Sequence, residues 1–267
     1  MVAKSGIWHS TTGAGPPVVL IHGLFGSAGN LGALGRDLAD RYTVYSIDLP
    51  NHGRSSWVDD PGVPHMANLL RAWLDEQGLA RAAFVGHSLG GKVAMQLALN
   101  EPEVVSALVA ADIAPVTYPG GGHDSIFAAL EAVEDAAVDS RAAAAKVMGE
   151  HLQEEGVIQF LLMSLERKAE GGYGWRFNLR ELHRGYDGLR SAPEGEPFAG
   201  PVLFVKGGES NYILPQHREQ VTALFPAAQM KVMPGCGHWL HAEQPAQFNR
   251  IVGRFLDTHV AAGQALS

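Results

Sequence analysis

The apolar positions of this chain alternate between two rhythms. Short unbroken runs, rich in β-branched residues and bounded by proline or glycine, read as buried strands: "PVVLIHG", "YTVYSIDLP", "RAAFVGH", "VSALVAADIAP", "PVLFVKGG" and "AQMKVMPG". Between them the apolar spacing switches to that of helices. In "MANLLRAWLDEQG", Met66, Leu69, Leu70, Trp73 and Leu74 follow the i, i+3, i+4, i+7, i+8 rule and Gly78 ends the segment. "GGKVAMQLALNEP", closed by Pro102, "LPQHREQVTALFP" and "PAQFNRIVGRFLDTHV" are further helices. Strands taken in turn with helices predict an α/β fold, a mainly parallel sheet flanked by helices on both faces.

The alternation breaks between Pro115 and Pro201. The stretch "SIFAALEAVEDAAVDSRAAAAKVMGEHLQEEGVIQFLLMSLE" reads as almost pure helix, with N-caps expected near Asp124–Ser125 and Asp139–Ser140. It is too long for a connection inside a compact sheet domain. The expected organisation is a core of residues 1–115 and 200–267, interrupted by a helical lid of residues 116–199 over the C-terminal strand ends. Phe127, Phe160, Trp175 and Phe177 are read first as the lid's own small core, with a lining on its underside as the alternative.

Composition narrows the function classes. At 267 residues and 46% hydrophobic content the chain suffices for one large domain. A net charge of −8 with no basic run argues against nucleic acid as a partner. No segment reaches the ~18 apolar residues of a membrane span, and "MVAKSGIWHS" lacks the apolar core of a signal peptide. The single cysteine, Cys236, excludes an intrachain disulfide and fits a cytoplasmic location. Nothing in the sequence separates a monomer from a homodimer.

Candidate chemistry concentrates in "AAFVGHSLGGKVAMQLAL", residues 82–99, where two signatures overlap. Around Ser88 it is G-x-S-x-G, the strand-turn-helix that exposes a nucleophile in α/β hydrolases. From Gly86 to Lys92 it is G-x-x-x-x-G-K, a phosphate cradle. The cradle needs a Ser or Thr after the lysine to ligate Mg²⁺, and Val93 stands there. Lys92 is then expected to be a solvated side chain one turn into the helix.

A serine nucleophile requires a base, an orienting carboxylate and oxyanion donors, each on a loop at the C-terminal end of a strand, in the order Ser, Asp or Glu, His. Of twelve histidines, three follow the last strand; His259 lies near the end of the terminal helix, which leaves His238 and His241 in "PGCGHWLHAEQP". His238 directly follows the strand-ending glycines and is taken as the base; His241 is expected to cap or pack, and Cys236 to be inert. Two carboxylates compete as the acid: Asp112 after "ALVAA", and Glu209 in "GGES". The slot G-x-x-D, where this fold usually carries its acid, holds Ser210, and a neutral hydroxyl cannot stabilise an imidazolium. Asp112 is preferred, with Ser210 bonding between it and His238, and Glu209 remains the alternative. The backbone N–H groups of Leu24, or less favourably Phe25, and of Leu89 are the candidate oxyanion hole. His22, and Asp48, His52 and Arg54 in "DLPNHGRSS", are read as loop-stabilising residues. No ligand spacing for a metal and no cofactor motif is present.

The combination "VLIHGLFGSAGNLGALGRDLA", "DLPNHGRS", "GHSLGGKVAM", "ADIAPVTY", "EEGVIQFLLMS", "WRFNL" and "PGCGHWLHAEQP" resembles the YbfF-type esterases of the α/β-hydrolase superfamily over nearly the whole chain, lid included. The resemblance implies an α/β-hydrolase fold and esterase activity on short- and medium-chain acyl esters, with thioester cleavage of acyl-CoA in some members. It implies Ser88 as nucleophile, His238 as base and Asp112 as acid. Glu209 departs from that family's "GG-N-S" segment. The short N-terminus leaves little room for the hairpin that begins many such sheets. A cofactor-free perhydrolase, a carbon–carbon bond hydrolase and a small-molecule receptor on the same scaffold are the alternative readings.

Overall fold

The computed structural model describes residues 4–169 and 171–260. The first half runs β1 (His9–Thr12), β2 (Pro17–Ile21), α1 (Gly32–Leu38), β3 (Thr43–Ile47), α2 (Val63–Glu76), β4 (Ala82–His87), α3 (Leu89–Asn100) and β5 (Val105–Ala111). An insertion follows: α4 (Asp124–Asp135), α5 (Arg141–Met148), α6 (Glu155–Leu162), a two-stranded hairpin of β6 (Leu165–Arg167) and β7 (Tyr173–Trp175), then α7 (Leu179–Arg184) and α8 (Tyr186–Arg190). The chain returns through β8 (Val202–Gly207), α9 (Arg218–Leu224), β9 (Ala228–Met233), α10 (Leu240–Glu243) and α11 (Pro245–His259).

Seven strands form one sheet in the order β1-β3-β2-β4-β5-β8-β9, parallel except for β1. The expected α/β fold is the one found. The central strands are apolar on both faces because both faces are covered. In β2, Val18 and Leu20 join α1 and α11 residues such as Leu34, Phe248 and Val252, whereas Val19 and Ile21 join the α2 and α3 side with Trp73 and Val93. Among the described residues no helix is long and apolar enough to cross a membrane.

Three details differ from the sequence reading. Strand β1, "HSTT", is polar and carries no hydrophobic signal; its backbone pairs with β3, His9 opposite Ile47. β1 and β2 do not pair with each other; each pairs with β3. The insertion is less helical than expected, since "SLE" turns into β6 and Gly171 and Gly172 carry the tight return to β7 at positive φ. Ser140 caps α5 by accepting from Ala143 N at 3.1 Å, and α4 starts at Asp124.

Lys92 is the main correction. It is not solvated but 2% exposed. Every residue from 89 to 99 in α3 is buried, because α2, the sheet and the ends of the insertion enclose this helix on all sides. Helix periodicity cannot report cover supplied by segments 24 and 98 residues away.

The fit of α3 against the sheet is tight. A Cβ at Gly90 would lie 2.4 Å from Ile21 O and 2.5 Å from His22 O. Helix propensity favours alanine over glycine by about 1 kcal/mol, but main-chain oxygens at the end of a central strand cannot yield. Gly90→Ala should therefore destabilise the protein by about 1–3 kcal/mol, read as a lower urea midpoint; an unchanged or raised midpoint would contradict this packing.

Candidate active site

The loop from β4 to α3 forms a sharp turn. Ser88 sits at φ 52°, ψ −118°, a conformation that costs a non-glycine residue about 1–3 kcal/mol unless the surroundings enforce it. They do: Ser88 N donates to Ala111 O at 3.0 Å, and a Cβ at Gly86 would lie 2.3 Å from the Gly90 carbonyl carbon. The glycines flanking the serine are thus required sterically. The turn leaves Ser88 half-buried, facing two cavities.

The loops after β5, β8 and β9 meet beside it. Asp112, wholly buried at φ 49°, accepts from Gly207 N at 2.9 Å through Oδ1. Its Oδ2 accepts from His238 Nδ1 at 2.8 Å and from the Ser210 hydroxyl. Since a carboxylate only accepts, His238 carries its proton on Nδ1 and presents Nε2 as an acceptor. Ser88 and His238 line one cavity. Glu209 is exposed; the hydrogen bond it contributes is main-chain, its N–H donating to Cys236 O at 2.9 Å, while Oδ2 of Asp112 occupies His238 Nδ1. Two residues outside the sequence reading hold the base: Tyr212 stacks on the His238 ring with centroids 3.9 Å apart, and His87 Nε2 donates to the His238 carbonyl at 2.8 Å. Tyr212 stands two residues after Ser210, a proximity that was the available signal.

The turn after β2 is fixed by neutral histidines. His22 donates from Nδ1 to Gly23 O at 2.7 Å and accepts from Leu49 N at 3.0 Å. His52 donates to Pro50 O at 2.9 Å and accepts from Phe25 N at 3.2 Å. The Phe25 amide is therefore occupied, and Leu24 and Leu89 are the residues that line the cavity at Ser88. Asp48 accepts from Ala28 N at 2.6 Å and Arg54 N at 3.0 Å, and the Arg54 guanidinium lies 4.2 Å over the Trp8 ring. The loop network expected at Asp48, His52 and Arg54 is the one present, and no metal-binding group of three His, Cys, Asp or Glu occurs among the described residues.

The insertion walls both cavities. The larger, about 320 Å³, is lined by Leu24, Ile113, Tyr118 and Tyr212 with Lys92 and Arg190 among others. The smaller, about 50 Å³, includes His238, Trp239, Ile126 and Phe160. Of the four aromatics in question, Phe127, Trp175 and Phe177 are core, Phe127 and Phe177 packing with Phe25 of the β2 turn and Trp175 stacking on Phe177, whereas Phe160 faces the cavity beside Trp239. His123 borders both cavities and pairs with the Tyr186 hydroxyl. Neither residue carries a sequence signal, because their meeting depends on how the insertion folds.

The Alpha/beta hydrolase family model matches residues 18–251. The chain belongs to this family. The hydrolase is 43% identical over 241 residues to Esterase YbfF of Escherichia coli (strain K12), covering 90% of this chain and 93% of that one. It is 39% identical to the sn-1-specific diacylglycerol lipase ABHD11 of Mus musculus, covering 90% and 81%. A solved structure described as a marine microorganism esterase superimposes with a TM-score of 0.90 at 34% identity, covering 94% and 99%. The resemblance read from the motifs thus holds over the chain.

Burial holds several of the hydrolase's histidines neutral. It pushes His52 down to about 3, with His22 adding to the shift, and His22, His123 and His241 down to about 4. His241 Nδ1 finds no partner among the described residues, so protonating it has no compensation. The unfolded chain takes up these protons as pH falls through about 6.5, while the fold refuses them. The contribution is complete above that pH and lost from there down toward 3–4, at up to about 1.4 kcal/mol per pH unit for each histidine. Urea unfolding should show stability falling steeply from about pH 6.5 to 4.5; a flat profile across that window would contradict the neutral assignments.

Proposed function

We propose that this hydrolase is a serine esterase that cleaves short- to medium-chain acyl esters through a Ser88–His238–Asp112 triad and an acyl-enzyme. What carries the reading is the bond from His238 Nδ1 to the buried Asp112 carboxylate, on the same rim as a half-buried serine held in a strained turn. His238 Nε2 takes the Ser88 proton as Oγ attacks the ester carbonyl, and the imidazolium is stabilised by Asp112. The N–H groups of Leu24 and Leu89 receive the oxyanion, His238 returns the proton to the departing alcohol, and water repeats the cycle to free the acid. Asp112 needs its charge for this role, and Ser210 and Gly207 hold it in place.

The larger cavity favours an uncharged acyl group. Both of its cations are already satisfied: Lys92 by three carbonyls, Arg190 by Asp187 and Tyr118 O. The insertion, residues 116–199, acts as a lid whose underside shapes that cavity. A cytoplasmic location fits the lone, buried Cys236.

Ser88→Ala should lower kcat on p-nitrophenyl butyrate by about 10⁴–10⁶, with the variant still folded by circular dichroism. Asp112→Asn should lose about 10⁴ in kcat, whereas Glu209→Gln should stay within about twofold because that side chain is exposed while His238 Nδ1 donates to Asp112. Substantial turnover by the serine variant, or a crippled Glu209→Gln beside an intact Asp112→Asn, would reverse these assignments.

A further inference from the structure

Lys92 stands four residues after Ser88 on α3, so the two share a helix face, and both line the larger cavity. Its ammonium is turned toward main chain. Nζ donates to Val116 O at 2.9 Å, to Arg190 O at 2.6 Å and to Ser191 O. Val116 lies where the chain leaves β5 for the insertion; Arg190 and Ser191 lie where α8 ends and the chain turns back toward β8. One side chain on the nucleophile helix therefore ties both ends of the insertion. The ends also tie each other: Tyr118 N donates to Arg190 O at 3.0 Å, and Arg190 Nη1 to Tyr118 O at 2.7 Å. One turn further on, Gln96 exchanges two hydrogen bonds with the Glu194 backbone, at 2.6 and 3.1 Å. Tyr118 and Pro119 from the entry, and Tyr186, Leu189 and Arg190 from the exit, are walls of the cavity at Ser88.

We propose that Lys92 is a positioning and specificity-determining residue, a clasp that holds both ends of the insertion on the nucleophile helix and so sets the width of the acyl cavity. The proposal rests on the esterase reading for its substrate consequence, and on the hydrogen bonds alone for the clasp. An apolar side chain would fill this buried site without the cost of desolvating an ammonium, so packing does not account for a lysine here. The donor count does. A protonated amine has three N–H bonds for three carbonyls; a neutral amine has two and leaves one carbonyl short.

The groups facing Lys92 are few. The Tyr118 ring lies 4.9 Å away, its hydroxyl accepting from Ala114 N and donating to Tyr212 O. Arg190 is cationic and held by Asp187, and His123 and Tyr186 share the cavity wall, paired with each other. No carboxylate bonds Nζ among the described residues. Burial, and after it the Arg190 charge, lower the amine to about 7. The cost of burying the charge thus outweighs the third hydrogen bond, so opening the clasp, which returns Nζ to water, is favoured as pH falls and disfavoured as it rises.

The readout is the ratio of kcat/KM for p-nitrophenyl decanoate to that for p-nitrophenyl butyrate. In the wild type it should fall about tenfold between about pH 6 and 9, the change lying in KM for the long ester. Lys92→Met should show the raised ratio at every pH, and Lys92→Arg, whose guanidinium does not titrate, a ratio independent of pH. Hydrogen exchange on the unmodified protein, corrected for the intrinsic rate, should show residues 116–122 and 186–195 gaining protection over the same range while α2 and β4 keep theirs unchanged. That arm needs neither a folded variant nor an ester. If the wild type hydrolyses no ester, the esterase reading falls and hinge exchange alone decides the clasp. Hinge protection and chain-length ratio both indifferent to pH, or a folded Lys92→Met that matches the wild type, would overturn it.

Discussion

The rim of this molecule is organised around one buried charge, the carboxylate of Asp112. A carboxylate taken wholly out of water costs several kcal/mol unless its lone pairs are matched. Asp112 meets that demand with three donors from two strand ends: the Gly207 amide at the end of β8 with the Ser210 hydroxyl just after it, and the His238 imidazole after β9. Removing any donor leaves part of the charge unmatched. The carboxylate thus gathers loops 95 to 126 residues away in sequence to one point beside Ser88. Its positive φ is enforced from behind by Asp112 N, which donates to Val205 O at 2.8 Å.

A second layer consists of groups that stay neutral. His22 and His52 each spend one ring nitrogen on the turn carrying Leu24, at Gly23 O and Phe25 N, and the other on the segment after β3, at Leu49 N and Pro50 O, so that turn is positioned by imidazoles whose protonation would break an acceptor on each. His87 supports the His238 carbonyl and lies between the His238 and His241 rings, with centroids 4.7 and 4.4 Å away. The same burial that makes these contacts rigid makes the site sensitive to acid. Rigidity of the rim and instability at low pH have one cause.

The parts of this architecture that were legible from sequence are those decided by local composition. β2, β4, β5 and β8 are mostly apolar because each is covered on both faces, and such runs announce themselves. The locations of Ser88, Asp112 and His238 followed from strand ends and chain order, and the structure does bring them to one rim. What was not legible is set by distant cover. β1 is polar and is a strand only because β3 offers it an edge. Lys92 looked solvated because its acceptors come from the two ends of the insertion. Phe160 and Phe127 have the same chemistry and the same helical setting, yet one faces the cavity and the other the core, a difference made by the tilt of α6 and α4 against Trp239 and Phe25.

The ambiguity between two acids has a structural origin. β5 and β8 are adjacent parallel strands in register, with Ala111 opposite Val205, so their C-terminal ends lie about 4.8 Å apart. A carboxylate leaving either end has the reach to meet an imidazole suspended from the loop after β9. Here the end of β8 supplies a hydroxyl, and Ser210 donates to the same oxygen that receives His238 Nδ1–H. Donors on the β8 loop and charge on β5 form a complementary arrangement, in which a second carboxylate at the Ser210 position would face Asp112 as a like charge in a buried site. Glu209, one residue earlier, avoids that conflict by turning outward and contributing its amide to Cys236 O instead.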